Sequence, residues 1–156
     1  WRAIKMKFLN SFKNKSVAFY LFLASSVVGL VGTIIYAAYS GSAYGKINGG
    51  SEVGSHFNTL IFVLMLLGSL TCVLPLVKPE WKFTPIVPII FSSAAFGYYI
   101  NDRLVMIEEH LNHIYGMMES GGNLITVIVI FVFMLITSIT LIVASFMNNE
   151  KKTKRN

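Results

Sequence analysis

The chain has 156 residues, of which 54% are hydrophobic and only 13% are charged. Soluble domains carry about 25% charged residues, so a water-soluble core is excluded as the reading, and the net charge of +6 matters by its position more than by its sum. The single cysteine, Cys72, lies inside an apolar run and rules out a disulfide framework within these residues.

Residues 1–15 carry five cations and no acid. Trp1, Ile4, Phe8, Leu9 and Phe12 recur at roughly helical spacing among them. Lys5, Lys7, Lys13 and Lys15 then read as membrane-surface residues that reach anionic head groups. The plainer reading of the same segment is a cytoplasmic flank that sets orientation.

The first span is predicted over about 17–39, inside a run from Ser16 to Gly45 with no charged residue. The run exceeds the roughly 20 apolar residues a helix needs to cross a bilayer. It is also longer than the 7–15 residues of a signal-peptide core. Ser25, Gly29 and Gly32 are candidate helix-packing positions, because small residues let backbones approach closely in lipid. Tyr36, Tyr39 and Tyr44 are expected in an interfacial aromatic belt. Residues 40–56 are rich in Gly and Ser and read as a loop with a tight turn at Gly49-Gly50.

The second span is predicted over about 57–77, with Pro75 near its end as a kink or stop. The short connection 78–82 places Trp81 between Lys78 and Lys82 as an interface anchor. It also makes spans two and three antiparallel neighbours. The third span is predicted over about 84–101, opened by Thr84 as N-cap and Pro85 at the first helical position, with Pro88 in the first turn. Ser93 and Gly97 are its helix-packing positions, and Tyr98 and Tyr99 mark the far interface. Asp102 and Arg103 end the apolar run, where charges are cheap.

Residues 103–118 form an amphipathic helical extension. Leu104, Ile107, Leu111, Ile114 and Met118 make one stripe at helical steps. Another face of that helix carries Met106, His110, His113 and Met117, with Glu109 beside them. Thioether and imidazole ligands suit copper, and His with Glu suits zinc, with His56 as a further ligand. The competing reading is an ordinary polar flank with no cofactor. Asn123 is a candidate cap for the fourth span, predicted over about 124–147. The tail is basic.

These elements give an all-α chain: an integral membrane four-helix bundle, one transmembrane domain over 1–156. With both termini cytoplasmic, eleven of the thirteen Lys and Arg lie inside, and five of the seven acids lie outside. That satisfies the positive-inside rule at each connection. Multi-pass insertion in a bacterial plasma membrane follows as the expected location. No charge lies in the middle of a span, which counts against a pump, proton relay or voltage sensor. No phosphate-binding glycine loop, HExxH or GxSxG motif occurs. Cations that flank spans argue against nucleic acid as a partner.

The expected function is a non-catalytic subunit or accessory component of a membrane complex. It would dock on other membrane subunits, or on itself, through small-residue helix faces and the external helix. The alternative is a small oligomeric channel or transporter. A third reading is a metal-handling or enzymatic protein at the external face.

Overall fold

The computed structural model describes residues 16–42, 46–49, 52–55, 57–77, 81, 83–112 and 124–147. Among these, four long helices carry the fold. They are α1 (Val17–Ser40), α2 (Thr59–Thr71), α4 (Ile86–Leu111) and α5 (Leu124–Phe146), with a one-turn α3 (Leu74–Val77) after α2. Three helical stretches are long and apolar enough to span a membrane: Val17–Ser40, Thr59–Val77 and Leu124–Phe146. Helix α4, which contains the expected third span, is not one of them. Its apolar part stops at Ile100, and Asn101, Asp102 and Arg103 follow within the same helix.

The ends of the helices follow from local chemistry. Ser16 caps α1, its hydroxyl accepting a hydrogen bond from the Phe19 N–H at 3.4 Å. Asn58 caps α2 in the same way, through the Leu60 N–H at 3.0 Å. Helix α2 breaks at Cys72 because Pro75 has no N–H for the Thr71 carbonyl and its ring crowds that carbonyl. The backbone tightens there, with the Val73 N–H bonded to the Leu70 carbonyl at 3.2 Å. Pro88, by contrast, sits in the first turn of α4, where no helical partner for its nitrogen is lost.

Three sequence expectations change here. Residues 40–56 are not wholly loop: β1 (Lys46–Gly49) and β2 (Glu52–Ser55) pair antiparallel, Lys46 opposite Ser55. Among the described residues the chain is therefore all-α except for this hairpin. Helix α4 starts at Ile86 rather than at Pro85, and the Thr84 hydroxyl donates to the Trp81 carbonyl at 2.8 Å. The helical extension expected from residue 103 is present over the described residues: it continues α4 without a break to Leu111, because nothing between Asn101 and Leu104 stops a helix. At about 1.5 Å per residue, the 26 residues of α4 reach about 39 Å, more than the roughly 30 Å of a bilayer core. Finally, Tyr36, Tyr39 and Tyr99 are not an exposed belt but part of the core, while Tyr98 is exposed.

The helices pack side by side in a closed sequence of neighbours: α1 against α2 and α5, and α4 against α2 and α5. Two apolar clusters lie along the axis. The larger contains Tyr36, Ile61, Met65, Ala95, Tyr99 and Ile130. The smaller contains Phe22, Cys72, Leu141 and Ala144. Outward faces are greasy as well, with Val27 and Ile34 on α1, Leu70 on α2, and Ile128 and Ile139 on α5 all exposed. Such a coat is unfavourable in water and compatible with a multi-pass membrane protein. Several polar side chains inside the helices are satisfied locally. Thr33, Ser69, Thr71, Thr137 and Thr140 each donate to the carbonyl four residues back.

Candidate functional site

The densest polar group in the described interior lies where the C-terminal end of α1 meets the N-terminal ends of α2 and α5. Its centre is Arg103 of α4, whose side chain is 1% exposed. The charged head is held from three directions. One guanidinium nitrogen donates to the Ser40 hydroxyl at 3.2 Å. The Nε lies 3.5 Å from the Asp102 carboxylate, which is itself mostly covered. The guanidinium carbon lies 5.9 Å from the centre of the Tyr39 ring, within cation–π range. Ser40 closes α1, so the cation also sits by the negative end of that helix dipole.

Two more tyrosines complete the group. Tyr99 lies one turn before Arg103 on α4, and its hydroxyl donates to the Val127 carbonyl in the first turn of α5 at 3.0 Å. Tyr36 lies one turn before Ser40 on α1. Its hydroxyl accepts from the Asn58 N–H at 3.0 Å and lies 3.2 Å from the Asn58 carbonyl, to which it donates. The two rings meet edge to face, with centroids 5.9 Å apart and planes at 76°. Phe57 tilts against Tyr36 with centroids 6.0 Å apart. One small cluster thus ties the C-terminal end of α1 and the N-terminal ends of α2 and α5 to the body of α4.

An arginine in this setting can anchor helix ends and hold neighbouring dipoles in register. Sequence reasoning placed Arg103 at a span end, where exposure costs little. The signal available in the sequence was the four-residue step from Tyr99 to Arg103 and the matching step from Tyr36 to Ser40. Each pair falls on one helix face.

The helix-packing candidates divide into two sets. Ser25 is buried, and its hydroxyl has no hydrogen-bond partner among the described residues. A Cβ added at Gly29 would run into the Ser69 hydroxyl, and one at Gly32 would meet Phe133 at 3.2 Å. The small face of α1 is therefore occupied by α2 and α5. On α4 the position is reversed. A Cβ added at Gly97 would meet nothing within 4 Å, and Ser93 and Asn101 on the same face are exposed. Ala94, Gly97, Tyr98 and Asn101 line a shallow groove there.

Helix α4 includes the backbone of Met106, Glu109 and His110, but their side chains, and His56, His113 and Met117 entirely, lie outside the described residues. Among those described, no three His, Cys, Asp or Glu gather as metal ligands. Lys5, Lys7, Lys13, Lys15 and Asn123 also lie outside the description. Trp81 is 61% exposed. Cys72 is buried, with its thiol 3.1 Å from the Gly68 carbonyl.

In comparisons with known proteins, no family model, no curated protein and no solved structure matches this chain.

Proposed function

We propose that the chain is a small, non-catalytic multi-pass membrane protein that serves as a subunit or accessory component of a membrane complex. In this reading the four long helices form a transmembrane bundle with both termini cytoplasmic, and α4 crosses as the third span. Its partner is an apolar membrane helix of another subunit, seated on α4 over Ser93, Gly97 and Asn101.

The supporting observation is the contrast between glycines. Those of α1 and α2 are covered inside the chain, whereas Gly97 faces open space. In lipid, where apolar burial gives no drive, such faces associate through close backbone approach and side-chain hydrogen bonds. Ser93 and Asn101, each four residues from Gly97, supply the hydrogen-bonding groups.

The test is gentle extraction from native membrane with a tagged chain, with wild type beside Gly97→Leu. A partner that co-purifies with wild type and is lost from a folded Gly97→Leu variant supports the reading. A wild-type chain that runs alone overturns it. The oligomeric-channel alternative predicts ion flux after reconstitution in liposomes. Metal analysis of wild type and His110→Ala addresses the copper or zinc alternative.

A further inference from the structure

A void lies between the two apolar clusters, where all four long helices meet. Gly29, Gly68, Ser69, Ser92, Met134 and Thr137 are on its wall. Its volume is about 20 Å³. A single water needs roughly 10–15 Å³ of such space, together with two to four polar partners.

Proton accounting for the wall hydroxyls, and for Ser138 bonded to Ser92 behind them, leaves a specific gap. Ser69 donates to the Met65 carbonyl at 2.8 Å, and Thr137 donates to the Phe133 carbonyl at 2.7 Å. Both protons are used, while the hydroxyl oxygens keep free lone pairs. The Ser92 and Ser138 hydroxyls lie 2.9 Å apart and share one hydrogen bond. Two hydroxyls bring two protons, and that bond uses one. The other has no acceptor among the described residues, although Ser92 and Ser138 are only 7% and 6% exposed. A buried donor without an acceptor is costly, and more so in a membrane interior.

We propose that this void is a binding site for one water molecule that joins α2, α4 and α5. The water accepts the surplus proton of the Ser92–Ser138 pair. It donates its own two hydrogens to Ser69 Oγ and Thr137 Oγ1. Three hydrogen bonds is the usual number for a buried water. Helix α1 contributes by omission: the missing side chain of Gly29 leaves the Ser69 hydroxyl clear. The site lies apart from the α4 face and does not depend on the docking proposal.

A crystal structure of the full chain in a lipid phase, at a resolution that shows ordered waters elsewhere in it, tests the site. The expected result is one density peak within hydrogen-bond distance of the three hydroxyl groups. Thermal unfolding of Ser69→Ala, Thr137→Val and the double variant is the second test. Each variant also loses its own bond to the carbonyl four residues back, but because Ser69 and Thr137 share the water, the double variant should lose clearly less than the sum of the two singles. An empty void, or melting losses that add, would mean the void is dry and overturns the proposal.

Discussion

The Arg103 guanidinium and the Ser40 hydroxyl meet at 3.2 Å across a sequence separation of 63 residues. This contact fastens the end of α1 to the middle of α4, and Asp102 and Tyr39 hold the same charge from other sides. Arg103→Gln should therefore destabilise the protein. Hydrogen bonds to charged groups contribute about 1.5–3 kcal/mol each, and Asp102 would lose its cation. Arg103→Lys keeps the charge without the planar fork, so its loss should be smaller but clear. Thermal unfolding in one detergent ranks the three proteins. A Gln variant as stable as wild type would show that the contact anchors nothing.

The two buried tyrosine hydroxyls should differ in worth. Tyr36→Phe removes two hydrogen bonds and leaves the Asn58 N–H without its acceptor. Tyr99→Phe removes one bond, to a carbonyl that still accepts within α5. At about 1 kcal/mol per bond, the first variant should lose roughly twice as much stability as the second. Equal losses in parallel unfolding curves would contradict this accounting.

Alanine at three glycines separates packed from open faces. Gly29→Ala collides with Ser69, and Gly68→Ala brings a methyl within 3.2 Å of the Ser92 backbone nitrogen. Each should cost about 1–3 kcal/mol, the usual range for overpacking. Gly97→Ala meets no neighbour and should stabilise the isolated chain by about 0.5–1 kcal/mol through helix propensity. The same substitution should weaken association with a partner seated on that face. Stability assays on the purified chain and pull-downs from membrane read the two effects independently.

Orientation can be read with impermeant thiol reagents in a Cys72→Ala background. A cysteine at Asn48, on β1, should react on intact cells. A cysteine at Asn156 should react only after the membrane is opened. The reverse pattern would invert the proposed topology and the positive-inside argument behind it.

How much of this the sequence revealed depended on what each element needed from distant residues. Helices α1 and α5 were legible because a long charge-free run carries its own solvation argument. The break after α2 was legible because a proline acts locally. Arg103 was not, because its burial depends on Ser40 and Tyr39 of α1 converging with Asp102. The tyrosines misled for the same reason: a ring near a span end suits an interface, unless Asn58 or Val127 offers its hydroxyl a backbone partner. The hairpin was hidden because KING and EVGS are short and glycine-bearing and lack clear alternation. On α4, Ser93 and Gly97 showed small-residue spacing, but only three dimensions showed that no neighbour covers them.

The inter-helix hydrogen bonds of Ser26, Ser92, Tyr99, Tyr36 and Arg103 all fall on one side of the cluster formed by Phe22, Cys72, Leu141 and Ala144. Among the described residues, these side-chain bonds across helices are thus gathered toward the arginine pole. Opening fluctuations should stall at that pole. Amide exchange should therefore run fastest in the first turns of α1 and the last turns of α5, giving the molecule a preferred direction in which to come apart.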